Sequence, residues 1–146
     1  MTAAVNDDPP NWIGYLDNRV ALQNTFGGTV PVLDGLMLAQ LVIEQTGGMF
    51  ISLNFPALPE ASPARWIAAG CDRLQLRLSF HDLAHLSIKG LECDGNLEVC
   101  ASFGPGKRFS ISHPDFMVEF EYGHVNAGCY PYDSRIFEEP RDWYHR

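Results

Sequence analysis

Ser62-Pro63-Ala64-Arg65-Trp66-Ile67-Ala68-Ala69-Gly70-Cys71-Asp72-Arg73-Leu74-Gln75-Leu76-Arg77-Leu78-Ser79-Phe80 holds the two signals that decide the fold class. Its first part predicts a short helix over 63–69. Ser62 is placed to cap the free N–H groups of the first turn, Pro63 stands at the first helical position, and Gly70 supplies a left-handed stop. Its second part is the clearest strand in the chain. Leu74, Leu76, Leu78 and Phe80 alternate with Arg73, Gln75, Arg77 and Ser79, so one face is apolar and the other wet. A strand with one dry and one wet face belongs in an antiparallel sheet.

Upstream, Trp12, Leu16 and Val20 recur at i, i+4 and i+8. They predict an N-terminal helix over 9–23, capped by Asp8 or Asn11 and closed by Phe26-Gly27-Gly28. Residues 36–45 place Met37, Ala39, Leu41 and Ile43 on one strand face, and 49–55 place Met49, Ile51, Leu53 and Phe55 on one face. Both sets stay on one side only if the loop is odd, so Thr46-Gly47-Gly48 is expected as a three-residue turn with glycine at positive φ. Downstream, a turn at His81-Asp82-Leu83 sets Leu86 and Ile88 beside Leu76 and Leu78, with Lys89 opposite Gln75. Asp94-Gly95 is a hairpin signal that sets Ile88 opposite Ala101. Turns at Gly104-Pro105-Gly106 and His113-Pro114 then set Ala101 opposite Phe109 and Phe109 opposite Val118. Phe116, Val118, Phe120 and Tyr122 finish the inner face, and 125–129 add a strand. Residues 73–122 therefore predict a five-strand meander. The whole is a mainly β (α+β) fold, an antiparallel meander sheet or sandwich of about seven to eight strands, with an N-terminal helix and a short helix near 63–69.

The 146 residues fit one domain, 1–146, with a flexible start at 1–8 and a C-terminal tail at 130–146. Eighteen acidic residues against ten basic ones give a net charge of −8. That excludes nucleic acid as a general partner, which requires a basic surface, and suits a basic protein partner. No apolar run approaches the ~20 residues of a membrane span. The acidic N-terminus is unlike a secretion signal, so a cytoplasmic location is expected. Cys71, Cys93, Cys100 and Cys129 show no CxxC spacing and are expected as free thiols.

Several segments carry a resemblance by their order and spacing. They are Trp12, Phe26-Gly27-Gly28-Thr29-Val30-Pro31, Leu53-Asn54-Phe55-Pro56 with Leu58-Pro59, Pro63-Ala64-Arg65-Trp66, Gly70-Cys71-Asp72-Arg73-Leu74-Gln75-Leu76 and Leu86-Ser87-Ile88-Lys89-Gly90. Together they resemble the immunity protein 50 family, small bacterial proteins of polymorphic-toxin systems. The resemblance implies a cytoplasmic protein that binds a cognate toxin domain and neutralises it by occlusion, without catalysis, metal or cofactor. Most of these residues have plain folding roles as turn formers or inner-face leucines, so the resemblance bears on fold more directly than on any binding surface.

Three patterns invite catalytic readings. His81-Asp82-Leu83-Ala84-His85 has two histidines four apart flanking an acid, the raw material of a small metal-dependent hydrolase. That chemistry needs a helix to bring both imidazoles to one face, and here the segment is strand–turn–strand, with His81 in the turn and His85 outward opposite Ser79. Cys93 and Cys100 are candidate nucleophiles with no histidine at local spacing. Gly104-Pro105-Gly106-Lys107 lacks the Walker spacing and is a hairpin turn. The solvent face of the meander holds more. Arg73, Arg77 and Lys89 cluster on its first strands, and Arg108 is expected opposite Glu119. Glu98 and Glu121 are left without a counter-charge, joined by Glu138 and Glu139 in a tail that also carries Trp143 and Tyr144. Those six residues are the expected toxin contacts: four carboxylates for a basic surface, such as that of a nuclease, and two aromatic anchors.

Overall fold

The computed structural model describes residue 9, residues 11–90 and residues 98–135. In chain order it holds a 3₁₀ turn (Trp12–Tyr15), α1 (Arg19–Phe26), β1 (Leu36–Ile43), β2 (Met49–Phe55), α2 (Ala64–Ala68), β3 (Arg73–His81), β4 (Ala84–Lys89), β5 (Glu98–Gly104), β6 (Arg108–His113), β7 (Phe116–Glu121) and β8 (His124–Tyr132). The fold is mainly β and antiparallel, as the alternation predicts. Leu74, Leu76, Leu78 and Phe80 are all fully buried, and Phe116, Val118, Phe120 and Tyr122 line the core from β7.

The strands form one sheet in the order β4-β7-β6-β5-β1-β2-β3-β8. Parity alone leaves a sandwich and a single curved sheet open; the protein folds one sheet onto itself. Among the described residues β1 and β5 share two register pairs, Leu36↔Val99 and Met37↔Glu98. Three strands lie between β3 and β6 in the order, yet the Phe80 ring sits 4.8 Å from the Phe109 ring and 4.8 Å from that of Phe120. The half-sheets β4-β7-β6-β5 and β1-β2-β3-β8 therefore face each other across one continuous core.

The expected five-strand meander is not formed. β4 pairs with β7 instead of β3, because β3 already lies between β2 and β8, with a nine-pair ladder from Arg73↔Tyr132 to His81↔His124. Such a ladder offers far more pairing than six-residue β4, which is bulged between Ala84 and Ser87 and holds His85 at φ 55°. Leu86 and Ile88 are consequently exposed on an edge strand, Ile88 opposes Val118 rather than Ala101, and Lys89 opposes Met117 rather than Gln75. Asp94-Gly95 lies outside the described residues. The later registers slip by two: Ala101 opposes Ile111, Phe103 opposes Phe109, Phe109 opposes Phe120 and Ile111 opposes Val118. The turns keep their expected lengths and lie one residue later, at Pro105-Gly106-Lys107 and Pro114-Asp115. A slip of two keeps every side chain on its face.

A bulge between Leu38 and Gln40 corrects the face assignment of β1. Leu38 opposes Leu53 and Leu41 opposes Ile51, so Leu36 and Leu38 face the core before the bulge and Leu41 after it, in place of Met37 and Ala39. The β1–β2 loop is odd, as parity required. Its three residues are Gln45-Thr46-Gly47, one earlier than expected, with Glu44 N–H donating to Gly48 O at 2.8 Å and Gly47 at φ 92°.

Both helices differ in detail from their sequence signals. Asn11 does cap the first segment, its Oδ1 accepting from Ile13 N–H at 3.1 Å, but the helix breaks at Leu16 and restarts at Arg19. Val20 is 64% exposed, and Ile13, Leu22 and Phe26 take the core positions instead. The break has a use. Asp17 Oδ2 accepts from Val125 N–H at 2.9 Å and Asp17 N–H donates to Val125 O at 2.8 Å. Asn18 Oδ1 accepts from Ala127 N–H at 3.1 Å while its Nδ2 donates to Ala127 O at 2.8 Å. Two side chains and one amide thus occupy the outer edge of β8, which Pro131 blunts further on by lacking an N–H. Asn18→Ala should cost about 1–2 kcal/mol, since two backbone groups lose their partners. Hydrogen exchange at Ala127 N–H should accelerate in that variant, and an unchanged rate would mean the edge is not closed this way. In α2, Ser62 does not cap: its hydroxyl donates to Pro59 O at 2.6 Å and Pro63 stands at the cap position. Gly70 does stop the helix, at φ 82°, with Gly70 N–H on Ile67 O and Cys71 N–H on Trp66 O, both at 3.0 Å.

Candidate functional site

Two outer sheet faces look away from the core. On β4-β7-β6-β5, one cross-strand row runs Ser87, Glu119, Ser110, Ser102 and the next runs Ala84, Glu121, Arg108, Gly104. Short side chains at the middle of these rows leave a depression of about 200 Å³, floored by Ser102 and Ser110 and rimmed by His85, Arg108, Glu119 and Glu121. Arg108 faces Glu121 rather than the expected Glu119, with its Nε 3.7 Å from Glu121 Oε1, and His85 Nε2 stands 3.7 Å from Glu121 Oε2. These are long contacts between exposed groups and contribute little to stability. Glu121, expected without a counter-charge, therefore has one, and Glu119 is the carboxylate outside any ion pair among the described residues. The two-residue register slip exchanged them.

Glu98 lies on the same outer face at the other end of β5. It joins Asp34, Cys100, Ser112 and His113 around a second, open depression of about 490 Å³. Glu121 is level with Gly104, six residues further along β5, so the two glutamates stand about 20 Å apart along the strands. They share a face without forming a cluster. Asp34 and Glu119 complete a broad acidic surface; outward parity is the sequence signal for Glu119, and its neighbour on β6 is Ser110 rather than Arg108. Glu138, Glu139, Trp143 and Tyr144 lie outside the described residues.

The outer face of β1-β2-β3-β8 is different in kind. Gln75, expected in water, is 3% exposed. It donates through Nε2 to Asn54 Oδ1 at 2.8 Å and accepts through Oε1 from Arg77 Nε at 2.7 Å. The Arg77 guanidinium in turn lies 4.0 Å from the centroid of the Tyr130 ring. Lys89, expected beside Arg73 and Arg77, is on the far edge strand.

Catalytic chemistry finds little support in the geometry. His81 ends β3, opposite His124 and edge-on to Phe50, instead of lying in the turn. His85 is on β4 and reaches Glu121; it is not opposite Ser79, which pairs with Phe50 and Asn126. Asp82 Oδ2 is 3.9 Å from His124 Nε2, and that ring's Nδ1 is 3.5 Å from Asp17 Oδ2. Among the described residues no three His, Cys, Asp or Glu side chains converge in a way that could hold a metal ion. Cys71 and Cys100 are held above the usual thiol range, by partial burial first and nearby aspartates second, and burial pushes Cys129 up to about 12. A nucleophile needs the opposite shift. Cys93 lies outside the described residues. Iodoacetamide at pH 8 should label Cys129 roughly 100-fold or more slowly than a free thiol, because so little thiolate is present, and urea should abolish the difference. Fast labelling in the folded protein would contradict the burial of Cys129.

The family model for immunity protein 50 matches residues 18–126, a span that runs from the residue before α1 into β8 and includes both half-sheets. No curated protein and no solved structure matches the chain.

Proposed function

The chain belongs to the immunity protein 50 family, and we propose that it neutralises a cognate toxin domain in the cytoplasm by covering it, with a surface instead of a reaction. The observation that carries this is the outer face of β4-β7-β6-β5. Glu119 and Glu121 stand on rigid strands around a floor of small hydroxyls, and Glu98 stands further along the same face with Asp34 beside it. A face of this kind offers carboxylates already oriented and little side-chain entropy to lose on binding. Its natural counterpart is a basic surface. A nuclease toxin fits, because an enzyme that holds phosphate must be basic where it works, and an acidic protein of net charge −8 can cover that site. High pKa values at the thiols and the separation of His81 from His85 favour binding over catalysis. No helix among the described residues is long and apolar enough to cross a membrane.

The test is titration of the toxin domain encoded beside this gene, followed through its enzymatic activity. Inhibition should saturate at one equivalent of the protein, with a one-to-one complex on size exclusion. Protection by substoichiometric amounts would mean that the protein turns over, and would sink the occlusion mechanism.

A further inference from the structure

We propose that β4 is a docking edge, to which the toxin domain adds an extended segment carrying one basic residue between two apolar ones. The choice of partner rests on the toxin-neutralising function proposed above. The first observation is the edge itself. β4 and β8 are the two end strands of the sheet order. The outer edge of β8 is occupied by Asp17 and Asn18. β4 pairs with β7 alone among the described residues. In an antiparallel pair every second residue turns its N–H and C=O away from its neighbour, so β4 offers those groups to a further strand.

The second is what the two faces of that edge carry. Ile88 opposes Val118 and so lies on the inner face, as does Leu86 two residues before it. That face is buried on β5, β6 and β7, yet Leu86 is 38% and Ile88 37% exposed. Apolar side chains left partly in water at the margin of a core gain from a strand laid beside them. The outer face of the edge is short-sided: Ser87 stands beside Glu119, and Ala84 beside Glu121. Neighbouring strands are about 4.8 Å apart, so a residue opposite Ser87 on an added strand lies about 10 Å from Glu119. A lysine or arginine at that position reaches over the serine to the carboxylate. Glu119 is outside any ion pair among the described residues, and it rims the depression floored by Ser102 and Ser110. The edge is therefore continuous with the acidic face.

The third is how little of the edge is regular. The bulge between Ala84 and Ser87, with His85 at φ 55°, interrupts the ladder at one end, and Gly90 at φ 72° follows Lys89 at the other. Pairing is thus confined to Leu86-Ser87-Ile88-Lys89. Apolar residues fit opposite Leu86 and Ile88, a basic residue fits opposite Ser87, and Lys89 rejects a second cation opposite itself. A second copy of this chain fits worse. Two β4 strands set antiparallel about Ser87 place serine opposite serine, which brings no cation across to Glu119, and each copy carries a net charge of −8.

Hydrogen exchange on the one-to-one complex with the toxin domain encoded beside this gene reads the edge. Amides of β4 that are not bonded to β7 should slow about tenfold or more on complex formation, while Ala127 N–H on the closed edge stays nearly unchanged. Ser87→Arg sets a cation beside Glu119 from within the chain and fills the short-sided row. It should weaken inhibition about tenfold or more with an unchanged thermal midpoint. Leu86→Asp attacks the other face and should weaken inhibition to a similar extent, so a folding defect in one variant leaves the other to decide. Inhibition at one equivalent with β4 exchanging as in the free protein would overturn the docking edge and leave the toxin-neutralising reading standing. So would both variants inhibiting like the wild type. Absence of inhibition by the wild-type protein would remove both. Slow exchange of β4 amides in the free protein that deepens with protein concentration would also overturn the proposal, because the occupant would then be a second copy.

Discussion

Phe80→Ala should cost about 3–5 kcal/mol of folding stability, the loss typical of a large aromatic removed from a closed core. Phe80 is the hinge pin of the folded sheet. It is fully buried, and its ring meets Phe109 and Phe120 at 4.8 Å, Tyr122 at 5.2 Å and Phe103 at 6.2 Å. Phe80 belongs to one half-sheet, and Phe103, Phe109 and Phe120 belong to the other. Among the described residues β1 and β5 share two register pairs, and packing across the core adds to what holds the halves together. A domain of this size is stable by about 5–15 kcal/mol, and the variant would sit close to unfolding at ordinary temperature. Urea denaturation should show a large fall in midpoint. Phe80→Leu, which keeps most of the volume, should cost less than about 1.5 kcal/mol. Phe50→Ala is the control on the outer face, where the ring is half-buried and its loss should be felt far less. A cost below about 1 kcal/mol for Phe80→Ala would mean that the halves are not packed on each other, and the folded-over sheet would be wrong.

Reversing Glu98, Glu119 and Glu121 together to lysine should slow association with the toxin domain by about 10–100-fold at low salt. Near 0.5 M salt most of that difference should vanish, because screening shortens the reach of exposed charges to a few ångströms. Dissociation should change less, since rim charges act mainly on encounter and buried contacts on release. Folding should tolerate the change: the residues are on strand surfaces, and the pairs that Glu121 makes with Arg108 and His85 are 3.7 Å long. Glu44→Lys with Glu60→Lys is the control, placing new cations on the β1–β2 turn and on the loop before α2, away from this face. If the control slows association equally, net charge and not this surface steers the encounter. If association is insensitive to salt in the wild-type protein, the interface is apolar and lies elsewhere.

What the sequence determined by itself was which way side chains point. Alternation from Leu74 to Phe80 and from Phe116 to Tyr122 named core residues correctly, and the outward parity of Glu98, Cys100 and Glu121 held as well. Phe26-Gly27 and Gly70 marked real helix ends. These are local properties: a strand's pleat and a glycine at positive φ are decided within a few residues. Parity also survived every two-residue slip of register, which is why the inner face of β5, β6 and β7 came out right although each opposite pair was misplaced.

Only the tertiary structure decided who stands beside whom. β3 takes β8 as its neighbour and leaves β4 to β7, because strands compete for a limited number of edges and the longer ladder wins. The bulge at Ala39 moved Met37 off the core face, and no local signal announces an extra residue. The break before α1 exists because Asp17 and Asn18 bond the edge of β8, more than a hundred residues away in the chain. The candidate site shows the same division. Its acidic character was legible, but the exchange of Glu119 for Glu121 as the partner of Arg108 was not. Neither was the stack of Arg77 on Tyr130 over Gly128, which arises only where β3 and β8 lie side by side. Facing is a property of one strand, while adjacency is the outcome of all of them folding together.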